Sequence, residues 1–219
     1  QYRRLQGYLA QARQRGVPLA SIEVVVGYVP GIDPTEDILD SLELTYPGLR
    51  LVRSPFSAHD TRSKGFIINE SLGMVSGDWV ALLDADIVLP PDFFARLGAL
   101  DASVKVAAPD GRKMLTPETT ARVLLGLDKP WEDYEAMLAS AGEYRKTESD
   151  GVPIGYCQCV RREVFDKVAY VELRHFEGAD WKFGMDIIEH FGKEHRLEGL
   201  PVLHLHHGGS QWYGTEKQM

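Results

Sequence analysis

Hydrophobic positions change their spacing from segment to segment along this chain. Leu5, Leu9 and Ala12 recur at helical intervals, which predicts a helix over residues 2–15 with one apolar face. Ile22 to Val26 is instead a continuous β-branched run that suits a buried strand, and Gly27 with Pro30-Gly31 ends it. The alternation then repeats with a helix over 34–44, a short strand over 49–52, and a helix from Lys64 to Val75 carried by Ile68, Leu72 and Val75. Trp79 to Leu83 is an apolar strand of the kind buried on both faces, which places it at the centre of a parallel sheet. A helix follows Pro90-Pro91-Asp92 with Phe93, Phe94 and Leu97 inward, and a strand covers 103–108. Thr116-Pro117 opens another helix, with Thr as N-cap and Pro at the first helical position. The polar stretch 128–150 reads as an irregular excursion. From Gly151 a strand runs through Val160 and a short helix spans 161–168. A helix from about Trp181 to Phe191 and a strand from about Leu200 to Leu205 complete the pattern.

This order predicts an α/β sandwich of Rossmann type around a mostly parallel central sheet. No stretch rich in Pro, Gly or Ser divides the chain, so residues 1–219 are expected to form a single domain. A hydrophobic share of 44% over 219 residues suffices for its core. The net charge of -8 argues against nucleic acid and anionic membranes as partners. No apolar run approaches the roughly 18 residues needed to cross a bilayer, so no integral membrane segment and no secretory leader are expected. The only cysteines, Cys157 and Cys159, stand too close together for an easy disulfide, which fits a reducing, cytoplasmic location.

The candidate chemistry begins where the apolar strand ends. Asp84 and Asp86 follow Leu83 one residue apart, and strand alternation sends both to one side, at the carboxyl end where such sheets bind ligands. Two like charges at the rim of a core call for compensation, and oxygen ligands favour Mg2+ or Mn2+. The competing interpretation is a pair of solvated acids at an exposed strand end. Asp180 precedes the helix carrying Phe183 and Ile187 and shares their inward face, as a cap or as a base. In Leu203-His204-Leu205-His206-His207, alternation separates His204 and His206 from the two leucines. His204 is therefore expected beside the same cation as Asp86. His206 would lie further along the strand, and His207 would point away unless the strand has already ended.

Lys64-Gly-Phe-Ile-Ile-Asn69, the small-residue helix to Gly77-Asp78 and the strand into Asp84-Ala-Asp86 together resemble the central block of family 2 glycosyltransferases of the GT-A fold. Gly155-Tyr-Cys-Gln158, Glu177-Gly178-Ala179-Asp180 and the late histidines resemble that family's acceptor strand, base-bearing segment and histidine motif. The resemblance covers roughly residues 20–210. It implies a nucleotide-binding half at about 1–100 and an acceptor-binding, catalytic half at about 101–219. Asp84 and Asp86 would hold the metal and the donor diphosphate, with His204 completing the metal shell. Lys64 and Asn69 would lie near the nucleotide, and Asp180 would deprotonate the acceptor hydroxyl. Gln158, Glu177, Trp181 and His206 would line the acceptor side. The implied reaction is metal-dependent, inverting transfer from a nucleotide-sugar, a UDP-sugar foremost, to a glycan or other hydroxyl acceptor in polysaccharide or other glycan synthesis.

Three departures stand out. The family's first strand has no counterpart ahead of Leu5, and the chain does not begin with Met. The native polypeptide is thus expected to extend ahead of Gln1 with a strand beside Ile22–Val26. The second strand lacks its usual acidic ending, and Ala179 stands where the family has a second acid. A catalytically silent GT-A-type binding domain is one alternative. Asp84-Ala-Asp86-Ile-Val88 also fits the nucleophile motif of haloacid-dehalogenase-type phosphatases, although that motif normally sits on the opening strand.

Overall fold

The computed structural model of the protein describes residues 2–146, 155–174 and 178–207. The first half comprises α1 (Tyr2–Ala12), β1 (Glu23–Tyr28), α2 (Thr35–Thr45), β2 (Arg50–Pro55), α3 (Lys64–Leu72), β3 (Trp79–Leu83), β4 (Ile87–Val88) and α4 (Phe93–Gly98). The second half comprises β5 (Val106–Pro109), β6 (Gly111–Leu115), α5 (Pro117–Leu124), α6 (Tyr134–Ala139), β7 (Gly142–Lys146), β8 (Cys157–Arg161), α7 (Ala179–Phe191), β9 (His195–Leu197) and β10 (Val202–His204). Local chemistry sets several boundaries. The Thr116 hydroxyl accepts from the Thr119 N–H at 3.1 Å and caps α5, with Pro117 at its first position. Ser63 caps α3 in the same way, accepting from the Phe66 N–H at 3.2 Å.

The α/β architecture follows the sequence pattern, but the sheets are mixed rather than mostly parallel. β1 pairs with β2 in parallel, β3-β8-β5-β9 forms a second sheet, and β4-β10-β6-β7 a third. β8 runs antiparallel to both β3 and β5, whereas β5 and β9 are parallel. An apolar run specifies burial and not the direction of its neighbour, so the sequence pattern could not anticipate the reversal at β8. The excursion at 128–150 is also more regular than expected, because α6 and β7 lie within it. Buried Tyr134 anchors α6, its hydroxyl within reach of the Pro201 carbonyl at 2.9 Å. That contact spans the fold and leaves no local pattern. Among the described residues no helix is long and apolar enough to cross a membrane.

β3 is the outermost strand of its sheet among the described residues, not the centre. Only Val80 in it is fully buried, since its free edge borders a cavity of about 720 Å³. The opposite wall is Ile22 to Gly27, which includes most of β1. Tyr8, Ile67, Leu72 and Phe94, from the neighbouring helices, also line it. β1 and β3 run the same way. At their amino ends the Ser76 N–H donates to Glu23 Oε1 at 2.8 Å. At their carboxyl ends Ile67 of α3 lies against Gly27, and Lys64 of the same helix reaches Asp84. Two parallel strand edges thus face each other across the cavity, beside Ile22–Val26, where a further strand is expected from the sequence analysis.

Unpaired strand edges are templates for a further strand. A six-residue β-branched segment fused ahead of Gln1 is expected to pair in the cavity and raise Tm by several degrees, each kcal/mol giving about 2–4 °C in a chain of this size. The same segment with a central proline should give no rise. Calorimetry showing equal Tm for the two fusions would rule out this pairing.

Candidate active site

β3 ends at Leu83, so Asp84-Ala85-Asp86 forms a turn instead of prolonging the strand. The Asp84 N–H donates to the Tyr156 carbonyl at 3.1 Å, and the Ile87 N–H closes the turn on the Asp84 carbonyl at 3.2 Å. Strand alternation therefore does not apply here, and the two carboxylates face different partners.

Asp86 faces the histidines. Its Oδ1 lies 3.3 Å from His204 Nε2 and its Oδ2 lies 3.5 Å from His207 Nε2. The strand carrying His204 stops at that residue, and the Leu205 N–H donates to the Asp86 carbonyl at 3.0 Å. With β10 ended, His207 turns into the cluster, its ring meeting that of His204 edge to face at 5.2 Å. His206 is held otherwise, its N–H donating to the Thr120 hydroxyl at 2.8 Å. Although desolvation opposes it, hydrogen bonding from His204, helped by His207, holds the Asp86 carboxyl below its usual range. One oxygen and two imidazole nitrogens, all within 4.8 Å of one another, fit a divalent cation. Donors each about 2.1 Å from one ion stand about 3–4 Å apart, and the two Asp86–histidine contacts fall in that range.

Asp84 faces Lys64, whose Nζ lies 3.6 Å from Asp84 Oδ1 and 2.9 Å from Asp180 Oδ1. Burial alone would push the Lys64 ammonium down, but Asp84 and Asp180 outweigh it and leave it raised. Burial raises Asp84 despite Lys64, and the charges of Asp86 and Asp180 add to the rise. Asp180 sits in the first turn of α7, behind Gly178 at φ 74°. Its Oδ2 lies over Gly155, where any Cβ would collide with the carboxylate, so only glycine permits this approach.

The remaining sequence candidates divide. Asn69 does not line the cleft. Its amide grips the backbone of Tyr170, accepting from the N–H at 3.0 Å and donating to the carbonyl at 2.9 Å. Gln158 is fully buried on β8, behind the Tyr170 hydroxyl at 3.1 Å. Trp181 is 61% exposed next to Asp180. Glu177 lies outside the described residues. Sequence reasoning missed Tyr170, whose hydroxyl donates to Asp180 Oδ1. Its position between Ala169 and Val171 reads as ordinary core, and the contact spans a break in the regular elements.

A crystal structure of the mannosyltransferase PcManGT from Pyrobaculum calidifontis, in complex with GDP-Man and Mn2+, superposes with a TM-score of 0.63 at 16% identity, covering 94% of this chain and 54% of that one. S. aureus TarS 1–349 in complex with UDP gives 0.64 at 14% identity, covering 90% and 55%. At such identities the likeness is one of fold. The beta-monoglucosyldiacylglycerol synthase of Synechocystis sp. is 30% identical over 142 residues, which is 62% of this chain and 27% of that protein. This chain thus spans just over a quarter of that relative and just over half of each of the two solved structures. The family model described as glycosyltransferase like family 2 matches residues 3–212, nearly the whole chain, and the protein belongs to that family of transferases.

Proposed function

We propose that this domain transfers a sugar from a nucleoside-diphosphate donor to an acceptor hydroxyl, with inversion, at the carboxyl end of β3. The observation that carries the reading is the meeting, around one turn, of a cation-binding cluster and a second carboxylate paired with a lysine. Asp86, His204 and His207 would hold Mn2+ or Mg2+, with manganese favoured by the two imidazoles. Bound there, the cation would neutralise charge developing on the departing diphosphate. Asp180 serves as the base. Lys64 and Tyr170 both engage its Oδ1, so Oδ2 is the oxygen that takes the acceptor proton. Lys64 keeps Asp84 and Asp180 apart and compensated while the site awaits substrate. Exposed Trp181 gives the acceptor a flat apolar face beside that base.

The donors printed for the solved relatives, GDP-Man and UDP, support a nucleoside-diphosphate sugar, with a UDP-sugar as the first candidate. The acceptor is a glycan or another hydroxyl compound, and glycan or polysaccharide synthesis is the process proposed. Buried, unoxidised Cys157 and Cys159 support a cytoplasmic site of action. Family membership leaves the phosphatase alternative without support, and a silent binding domain remains an outcome of the test. In that case UDP-glucose or GDP-mannose with Mn2+ would raise Tm but release no nucleoside diphosphate.

Two outcomes follow from the assigned roles. Asp180→Asn is expected to retain the Tm rise given by donor and Mn2+ while transfer falls on the order of 100-fold, as for loss of a positioned base. Unchanged turnover in that variant would reduce Asp180 to a structural group. Mn2+ without nucleotide should stabilise the wild type in thermal-shift titration. His204→Ala and His207→Ala should each abolish that response, whereas His206→Ala keeps it. A full manganese response in His207→Ala would remove this histidine from the proposed ligand set.

A further inference from the structure

Asp180 is held from two directions, and the second of these has no part in the charge balance of the site. Lys64 divides its ammonium between Asp180 and Asp84, so its hold on the base changes with whatever charge enters beside Asp84. Tyr170 is neutral and 2% exposed, and its hydroxyl donates to the same Oδ1. A hydroxyl has one proton to give, and the charged carboxylate takes it. The Tyr170 hydroxyl also lies 3.1 Å from Oε1 of Gln158, whose side chain is itself fully buried.

The tyrosine is itself fixed by α3 and α7. Asn69 of α3 satisfies both its N–H and its carbonyl, and the second amide proton of Asn69 goes to Glu172 Oε1 at 2.9 Å. Gly65, one turn earlier on α3, lets the helix backbone press against the next residue, where any Cβ would strike the Val171 carbonyl oxygen. The ring stacks on Phe183 of α7 with centroids 4.5 Å apart, and Phe183 stacks in turn on Phe165 at 5.7 Å. Burial, with the Asp180 charge adding to it, pushes the Tyr170 hydroxyl above its ordinary range, so it stays a donor. A phenylalanine would satisfy the stacking equally well. The hydroxyl gives the carboxylate a neutral link to the segment that Asn69 holds, beside the charged one from Lys64.

We propose that Tyr170 is a positioning residue for the transfer reaction, locking Asp180 Oδ1 so that Oδ2 keeps one direction toward the acceptor hydroxyl. Asn69 acts one step further back by fixing the tyrosine. The proposal rests on the reading of Asp180 as the base, and the experiment separates the two. Tyr170→Phe keeps the ring and removes the bond. With Mn2+ and UDP-glucose or GDP-mannose as probes, UDP or GDP release is expected to fall about tenfold to a hundredfold in kcat, as when a reacting group is slightly misplaced. KM for the donor should stay within about twofold, since Tyr170 is buried. Wild-type kcat in Tyr170→Phe beside an inactive Asp180→Asn overturns this inference alone. Wild-type kcat in Asp180→Asn overturns the base assignment, and the inference falls with it. A second measurement needs neither turnover nor a variant that folds well. Proton NMR of the ligand-free wild type should show a slowly exchanging, downfield hydroxyl resonance, assigned to Tyr170 by selective labelling of tyrosine. Its absence would overturn the inference.

Discussion

Three carboxylates, those of Asp84, Asp86 and Asp180, gather where β3 ends, and their mutual repulsion is what the surrounding structure must answer. At an effective dielectric constant near 20, two unit charges about 4 Å apart repel by about 4 kcal/mol, a large fraction of a domain's net stability. The chain answers with one lysine and two histidines drawn from opposite ends of the sequence. Lys64 comes from the first turn of α3, and the histidines come from the end of β10. Elements far apart in sequence are thereby tied to one turn. The packing of α3 against the segment after β8, and of β10 against β4, follows from that requirement as much as from hydrophobic burial.

Much of this was legible in the sequence, for identifiable reasons. Helix starts at Thr116 and Ser63 involve caps whose donors lie within three residues. The apolar run of β3 and the acids beyond it are likewise local, and Asp84, Asp86, Lys64, Asp180 and His204 do converge. Failures arose where a feature depends on distant partners. Asn69 looks like a ligand-binding residue because it is polar beside a conspicuous motif, yet its amide is consumed by Tyr170 and Glu172 more than a hundred positions away. Gln158 looked available in a strand and is sealed by the residues above it. His207 was set aside by strand alternation, which stops operating one residue after His204. The direction of β8 belongs in the same class, because burial patterns carry no sign.

The two halves of the site also differ in how they are built. The histidine half is a turn and a short strand end, closed by the Leu205 N–H to the Asp86 carbonyl. The base half is a helix start whose carboxylate is sandwiched between a glycine and a tyrosine. The histidine half is thus set by backbone pairing and the base half by side-chain packing. Changes to the core around Phe183 should therefore reach the site through Asp180, the proposed base, and changes around Leu203 through the proposed metal ligands.

Buried Cys157 and Cys159 lie opposite Leu83 and Ala81, on the strand paired to the free-edged β3. Burial drives the Cys157 thiol well above its ordinary range, so within the fold it is protonated and inert. A sulfhydryl reagent can reach either sulfur only after the core packed over this face of the sheet opens. The pair is consequently a built-in clock for that opening. The rate at which it is modified measures how often the core that includes Ile87, just past the Asp84–Asp86 turn, opens to solvent, and binding that clamps the turn would slow the clock.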